Sequence, residues 1–298
     1  LDILDSIKKN STQLKSFHFA EGPGGFIEAI CYLYKGGMHY GMTLLDDNNP
    51  TVPGWKKSEA FLKENPNVTI DSGADNTGDL FSSKNLRHCL KKYRGKIDFV
   101  TADGGFDFST DFNAQEICGT RLLLAQITYA LAVQKKGGIF IVKFFDTFTR
   151  SSVDMLYLLS TVYSKVNIIK PHTSRQANSE KYVVCQDYNI DNVTPLVNKL
   201  ANVIYNLTQD VSNISCILKS VPPCHFVNRI EECNAILGQQ QIESISNTLH
   251  LIENTRIEKI ESMKKANIQK CIMWCQKNKL PYYKTLTASN IFLDKNNL

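Results

Sequence analysis

Residues 19–30, FAEGPGGFIEAI, place a proline and three glycines between an apolar run and a helix-forming run. Such a composition ends regular structure and lets the backbone pass close to another group. The stretch therefore predicts a strand-to-helix connection. Taken alone it favours a tight turn over a ligand-binding loop, because neither the G-x-x-x-x-G-K-[ST] pattern nor the G-x-G-x-x-G pattern is present.

Strand-like and helix-like runs alternate around this stretch through the first two thirds of the chain. This order predicts an α/β fold with a largely parallel sheet. The predicted strands are 14–20, 39–45, 67–72, 96–105, 139–146, 167–171 and 181–188. The predicted helices are 26–36, 82–95, 115–138 and 151–166, the third of them ending at a double glycine.

The pattern changes after about Tyr188, where strand signals fade and helices are predicted over 192–211 and 226–278. We therefore predict a main domain over residues 1–190 and a mainly helical extension over 191–298. In the extension, Ile242, Ile245, Leu249 and Ile252 follow helical spacing. Packing of this stripe on the main domain is favoured over binding of a protein partner, which stays the alternative.

Charge and composition limit the classes of function. The net charge is +5, and residues 255–298 carry nine Lys or Arg against three Asp or Glu. A basic tail suits a polyanionic partner, although a solvated helix face has the same composition. The nine cysteines lack zinc spacing, and apolar runs are shorter than a membrane span. We expect no metal, no membrane contact, a cytoplasmic location, and a missing segment upstream of Leu1.

Charged residues that end predicted strands are the candidates for chemistry, because ligands of open parallel sheets bind at the carboxyl ends of strands. Asp75 and Asp79 follow the third strand, and Asp103 ends the fourth strand before two glycines. Lys143 lies in the apolar run IFIVKFFD, where a lysine must be paired or must reach the open end of the strand. With Asp103, and with Glu180 before the last strand, it forms a group suited to proton transfer.

The segments EGPGGF, ADGGF, IVKFFD and PHTSRQANSEKYVVC recur in the order and spacing of one known family. Over about residues 17–188 the chain resembles the FtsJ-like (RrmJ-type) RNA 2′-O-methyltransferases. It is most similar to the messenger-RNA cap-1 enzymes, and the mixture of motifs is similar to that of FtsJ-like proteins of large cytoplasmic DNA viruses. The resemblance implies a Rossmann-like fold, S-adenosylmethionine as methyl donor and capped RNA as partner.

The resemblance also implies roles for individual residues. Asp103, Lys143 and Glu180 match the second, third and fourth members of the family's Lys-Asp-Lys-Glu tetrad. The cofactor-binding residues it implies are Glu21, Gly22, Pro23, Gly24, Gly25, Phe26, Asp46, Asp79 and Asp103. The implied RNA-binding residues are Arg175, Asn178 and Ser179. Among the aromatic residues, Phe148, Tyr282 and Tyr283 are candidates for stacking on a methylated guanine.

Three features depart from the family's pattern. The first tetrad lysine is expected upstream of Leu1, with Lys8 and Lys9 as stand-ins. His18 stands where the family tends to have an acidic residue, and Glu21 where it usually has a small one, so Glu21 would contact the cofactor or obstruct its pocket. Two alternatives to cap methylation therefore stay open: methylation of ribosomal or transfer RNA, and an inactive FtsJ-like protein that binds RNA or serves as a scaffold.

Overall fold

The computed structural model describes residues 13–46, 48–49, 52–105, 114–206, 214–254, 257–280 and 282. Its centre is a seven-stranded sheet with the strand order β3-β2-β1-β4-β5-β7-β6. The strands are β1 Lys15–Phe19, β2 Met38–Met42, β3 Val68–Ile70, β4 Ile97–Ala102, β5 Gln134–Phe144, β6 Tyr163–Ile169 and β7 Lys181–Tyr188. All neighbouring pairs are parallel except those of β7, which runs antiparallel to β5 and β6.

Helices connect the strands and follow the last of them. They are α1 Gly25–Leu33, α2 Glu59–Glu64, α3 Ser83–Tyr93, α4 Gln115–Val133, α5 Arg150–Val162, α6 Thr194–Asn206, α7 Cys224–Glu253 and α8 Ile257–Lys277. The alternation of strands and helices up to Tyr188 confirms the predicted α/β fold with a mostly parallel sheet.

Aromatic side chains fill the space between the sheet and α4. Phe17 and Phe19 stack at 4.2 Å between ring centroids, and Phe19 meets the fully buried Tyr129 of α4 edge-on at 5.4 Å. Such pairs add to the hydrophobic gain of burying the rings. By length and composition α4 could cross a membrane, but 61% of its apolar window is buried inside the structure.

Two element boundaries differ from the predictions because sheet pairing begins before the local turn signal. The third predicted helix was expected to continue to Gly138, but α4 ends at Val133, and Gln134 pairs with Ile97 as the first residue of β5. The register shifts between Ile97 and Phe99, and Gly137 has a φ of 76°. Similarly, the fourth predicted helix was expected to continue to residue 166, but α5 ends at Val162, and the next residue already belongs to β6.

The predicted domain boundary at residue 190 also differs from the structure, in which the described residues between 13 and 244 form one compact unit. The reason lies in α6, whose residues Val197, Leu200 and Ile204 are buried in the main core. The backbone oxygen of Ile204 accepts a hydrogen bond of 3.0 Å from Nε of Arg121 on α4. The described residues from Ile245 onward belong to a second unit.

The predicted apolar stripe on α7 can be checked where it lies within the main unit. Ile242 is 63% exposed, so the expectation that this position packs on the main domain is wrong.

The strand order determines where a ligand can bind. β1 lies between β2 and β4, so the chain leaves β1 towards one side of the sheet and later returns on its other side. This is the switch point at which ligands bind in doubly wound folds. One end of the sheet, the carboxyl edge, therefore carries the carboxyl ends of β1, β4 and β5 together with the first residue of the antiparallel β7.

Candidate active site

The glycines of the loop after β1 divide into packed and open positions. A Cβ on Gly22 would lie 2.4 Å from the backbone oxygen of Gly54, and one on Gly24 would lie 3.0 Å from the ring of Trp55. Gly24 also has a φ of 111°, which favours glycine. In contrast, a Cβ on Gly25 would have nothing within 4 Å. The first two glycines therefore serve a tight connection, and Gly25 leaves open space at the start of α1.

Glu21 lies beneath this loop and is only 4% exposed. Its Oε1 accepts a hydrogen bond of 3.0 Å from the backbone N–H of Ile27, and its Oε2 accepts one of 2.9 Å from the hydroxyl of Thr101. The first bond satisfies a free amide in the first turn of α1, as an N-cap side chain does. Both carboxyl oxygens are thus engaged by the protein, and the side chain does not obstruct the open space beside Gly25.

A buried polar chain continues from Glu21 along the face of the sheet that α1 covers. His18 Nδ1 lies 2.6 Å from the hydroxyl of Thr101, and its Nε2 lies 2.7 Å from the hydroxyl of Ser16. Ser16 in turn lies 2.8 Å from Nδ1 of His39, whose Nε2 contacts the backbone oxygen of Tyr34 after α1 at 3.2 Å. The chain of contacts therefore joins both ends of α1 through the sheet.

The environment of His39 favours its neutral form. The pKa of His39 is lowered to about 4, chiefly by burial and to a smaller extent by the neighbouring His18, whereas the hydrogen bond to the oxygen of Tyr34 acts in the opposite direction. The imidazole of His39 is therefore uncharged at neutral pH, and the departure from the family's acidic residue at position 18 is accommodated by a hydrogen-bonded network of histidines and hydroxyls.

The predicted nucleoside side of the cofactor site lies at the ends of β2 and β3. The N–H of Leu45 donates a hydrogen bond of 2.8 Å to the backbone oxygen of Thr77, which brings the segments carrying Asp46 and Asp79 together. One oxygen of Asp79 accepts from the N–H of Phe81 at 2.8 Å, and Asp46 is exposed beside a cavity of ≈ 240 Å³.

Asp75 also follows the third predicted strand and was named beside Asp79 from the residues alone, but its carboxylate serves the loop. It accepts hydrogen bonds from the hydroxyl of Ser82, from Thr77 at 2.6 Å and from Nδ2 of Asn85 at 2.8 Å. These bonds, led by that from Ser82, hold the pKa of Asp75 well below its ordinary value. Asp79 is therefore the better placed of the two to accept a hydrogen bond from a ligand.

The predicted tetrad residues Asp103 and Lys143 meet at the ends of β4 and β5. Nζ of Lys143 donates a hydrogen bond of 2.7 Å to the backbone oxygen of Asp103 and lies 3.3 Å from Oδ1 of the same residue. The Lys143 side chain is 13% exposed, and a Cβ on Gly105 would lie 3.5 Å from Nζ. The ammonium group is thus paired, as its place in an apolar strand requires, and it lines a small cavity together with Gly104 and Gly105.

Tyr182 joins this pair, although the sequence argument did not single it out. Its hydroxyl donates a hydrogen bond of 3.0 Å to Oδ1 of Asp103, and the centroid of its ring lies 5.9 Å from that of Phe26. Burial raises the pKa of Tyr182, and the nearby charges of Asp103 and Glu180 add to the effect, so it is a hydrogen-bond donor throughout the neutral range. Tyr182 lies opposite Lys143 in the β5–β7 pairing.

The loop between β6 and β7 carries the fourth predicted tetrad member and the predicted RNA contacts. The carboxyl group of Glu180 accepts a hydrogen bond of 2.7 Å from the hydroxyl of Ser174. Arg175 is exposed, Oδ1 of Asn178 accepts a hydrogen bond of 2.6 Å from Nζ of Lys170, and Ser179 lines a small cavity together with Asp146. The same edge of the sheet therefore presents Asp103, Lys143 and this loop.

Four of the remaining sequence candidates cannot be placed at this edge. Lys8 and Lys9, the stand-ins for the first tetrad lysine, lie outside the described residues, as does Tyr283. Tyr282 is described only in the second unit, where its hydroxyl accepts 2.7 Å from Nε2 of Gln276. Phe148, in contrast, belongs to the main unit and is 71% exposed.

The residues at the edge fit S-adenosylmethionine. Gly25 leaves open space after β1 at the start of α1, and Gly104 and Gly105 line a small cavity after the neighbouring β4. The start of α1 provides free amides for a carboxylate. Asp46 and Asp79 provide acceptors for ribose and adenine, and the partly exposed Leu45 provides an apolar surface beside them.

Comparisons with known proteins agree with this geometry. Residues 1–188 match the family described as FtsJ-like methyltransferase. Cap-specific mRNA (nucleoside-2′-O-)-methyltransferase 2 of Danio rerio is 32% identical over 264 residues, which are 80% of this chain and 33% of that protein. Cap-specific mRNA (nucleoside-2′-O-)-methyltransferase 1 of Mus musculus is 31% identical over 272 residues, covering 85% of this chain and 32% of the relative.

Among solved structures, an rRNA methylase from Streptococcus thermophilus aligns at 12% identity with a TM-score of 0.39, over 59% of this chain and 88% of that one. The chain spans about a third of the length of the curated relatives it matches. The family match covers more than half of the chain, from residue 1 to residue 188, and includes the glycine loop, Asp103, Lys143 and Glu180. The chain belongs to the FtsJ-like methyltransferase family.

Proposed function

We propose that this chain transfers a methyl group from S-adenosylmethionine to a ribose 2′-hydroxyl of capped messenger RNA. The observation that carries the proposal is the pairing of Lys143 with Asp103 at the carboxyl edge of the sheet, where Lys143 and Gly105 line the same small cavity. The similarity to two cap-specific 2′-O-methyltransferases supports the choice of capped RNA over other RNA.

On the donor side, the cofactor supplies an electrophilic methyl group on its sulfonium centre. The open start of α1 at Gly25 and Phe26 holds the methionine end, and Asp79 and Asp46 hold the nucleoside. Gly22, Pro23 and Gly24 keep the loop in place by packing, and Glu21 fixes its underside through Ile27 and Thr101. The loop is thus preorganised, which lowers the entropic cost of binding.

On the acceptor side, Lys143 first gives up one proton to solvent, and the neutral amine at Nζ then receives the proton that the 2′-hydroxyl must lose as it attacks the methyl group. Asp103 orients Nζ of Lys143 through its backbone oxygen and its carboxyl group. Tyr182 donates to the same carboxyl oxygen and so fixes Asp103. A base held in this way gains the rate advantage of general-base catalysis, typically about 10²–10⁴-fold.

The RNA strand lies along the loop before β7. Arg175 is exposed and suits bidentate contacts with phosphate, while Glu180 lies at the junction of this loop with the catalytic edge. Phe148 offers its exposed ring for stacking on the cap guanine, close to the amide side chains of Asn178 and Asn234 around the same small cavity.

The test is methyl transfer to matched RNA oligonucleotides, with the product identified by mass spectrometry after nuclease digestion. The substrates are a capped RNA, the same RNA with a 5′-triphosphate, and a capped RNA already 2′-O-methylated on its first nucleotide. We expect methylation of the first substrate only, and its loss in Lys143→Met but not in Lys165→Met, which replaces an exposed lysine on β6.

Other outcomes separate the alternatives. Equal methylation of capped and uncapped RNA would favour a ribosomal or transfer RNA substrate. RNA binding by the wild-type protein without methyl transfer, unchanged in Lys143→Met, would favour an inactive RNA-binding protein.

A further inference from the structure

Lys170 follows β6 and closes the loop that leads to β7. Its Nζ donates three hydrogen bonds: 2.6 Å to the backbone oxygen of Glu180, 2.8 Å to the backbone oxygen of Asn178 and 2.6 Å to Oδ1 of Asn178. An ammonium group has three hydrogens, so all of its donors are used within the loop. The side chain therefore ties the beginning of the loop to its end.

The electrostatic surroundings show that Lys170 is not an ordinary surface lysine. Burial lowers its pKa, while the charge of Glu180 acts to raise it, and Lys181 and Arg175 lower it further. A partly buried ammonium is costly unless it is fully hydrogen-bonded. The loop atoms that satisfy it are consequently held in place, because releasing them would leave the charge without partners.

The tied loop carries Arg175, Asn178 and Ser179, the RNA-binding residues that the resemblance implies, and the last tetrad member. Lys170 bonds the backbone of Glu180, while Ser174, within the same loop, bonds its carboxyl group at 2.7 Å. Glu180 is thus fixed at two points, one on its main chain and one on its side chain. Asn178 loses the freedom of its amide oxygen, so its amide nitrogen is the group left to face a substrate.

We propose that Lys170 is a positioning residue, which sets the orientation of Glu180 and of the RNA-contacting loop for methyl transfer. The inference rests on the proposed function for its kinetic part. A lysine that only stabilised the fold would have a different signature, since it would affect cofactor binding and RNA turnover through the fraction of folded protein alone.

The test uses Lys170→Met, with Lys165→Met on the preceding strand β6 as the matched control. In Lys170→Met we expect kcat to fall about tenfold or more and the Kd for S-adenosylmethionine to stay within about twofold. We also expect amide hydrogen exchange to accelerate in residues 172–180 and to stay unchanged in the sheet. Lys170→Arg, which keeps the charge and can donate to two acceptors, recovers part of the rate.

A double-mutant cycle with Glu180→Gln separates positioning from general stability. If Lys170 acts through Glu180, the second change adds little to the first, whereas independent effects multiply. A multiplied loss, or an unchanged exchange rate in the loop, would overturn the inference. Hydrogen exchange needs no turnover, so accelerated exchange in a protein whose wild type does not methylate RNA would reject the proposed function and retain the loop-ordering role of Lys170.

Discussion

Replacing Glu21 with glutamine tests whether the buried carboxyl group beneath the glycine loop stabilises the donor side of the site. The change keeps the size of the side chain and removes one of its two acceptor oxygens. In the wild type these oxygens serve the N–H of Ile27 and the hydroxyl of Thr101. The amide nitrogen of glutamine would face one of these two donors.

The magnitude follows from these contacts. A buried hydrogen-bond partner left unsatisfied costs about 1–3 kcal/mol. Loss of a negative group at the start of α1 costs a further 0.3–1 kcal/mol or so. Thr101 can turn its hydroxyl towards Nδ1 of His18, which lies 2.6 Å away, and so recover part of the loss. We therefore expect the free energy of unfolding to fall by about 2 kcal/mol.

The assay is urea unfolding followed by tryptophan fluorescence in a Trp274→Phe background, so that Trp55 is the reporter. The ring of Trp55 lies against Gly24 and Gly41, directly beside the loop. Glu28→Gln is the control, because Glu28 is an exposed acid in the first turn of the same helix and its loss is expected to cost less than about 0.5 kcal/mol. Equal unfolding free energies for Glu21→Gln and Glu28→Gln would refute the argument.

Two further predictions concern the catalytic edge and the network under it. Tyr182→Phe removes the hydrogen-bond donor to Oδ1 of Asp103 but keeps the ring beside Phe26. We therefore expect kcat to fall by about tenfold in steady-state kinetics, while the Kd for the cofactor stays unchanged in calorimetry. Equal turnover in the variant and the wild type would contradict this prediction. The pKa of His39 is lowered in the folded protein from its ordinary value of 6.5 to about 4. Between these two pH values the unfolded chain binds more protons than the folded one, so the free energy of unfolding falls by about 3 kcal/mol as the pH drops through this window. Urea unfolding at pH 7.5 and pH 4.5 is expected to show this loss in the wild type and a smaller loss in His39→Gln; identical losses would exclude His39 as the cause.

The residues at the ends of parallel strands could be predicted from the sequence. Asp103 and Lys143 end neighbouring strands that run in the same direction, so any parallel arrangement brings them to one edge. Tyr182 could not be found in this way, because its place opposite Lys143 depends on the register of the antiparallel β7. That register is set by long-range pairing, which a local pattern does not contain.

Glu21 shows a second limit of the sequence argument. Its position in the loop indicated contact with a cofactor or obstruction of the pocket, and the structure turns it the other way, because buried donors on β4 and at the start of α1 satisfy it there. The helix that was expected to continue to Gly138 illustrates the same point for secondary structure. Pairing of Gln134 with Ile97 outweighs the local helix signal of the residues before the double glycine.

Binding of S-adenosylmethionine is the measurement that tests the account most directly, because Gly25, Asp79 and Asp103 all lie within the described residues. Calorimetric titration of the wild type is expected to give micromolar affinity. Asp79→Asn keeps the acceptor for the N–H of Phe81 and is expected to weaken binding at least about tenfold, whereas Asp187→Asn at the opposite edge of the sheet leaves it unchanged. No heat at millimolar cofactor, or equal affinity in Asp79→Asn and wild type, would contradict the assignment of this edge as the methyl-donor site.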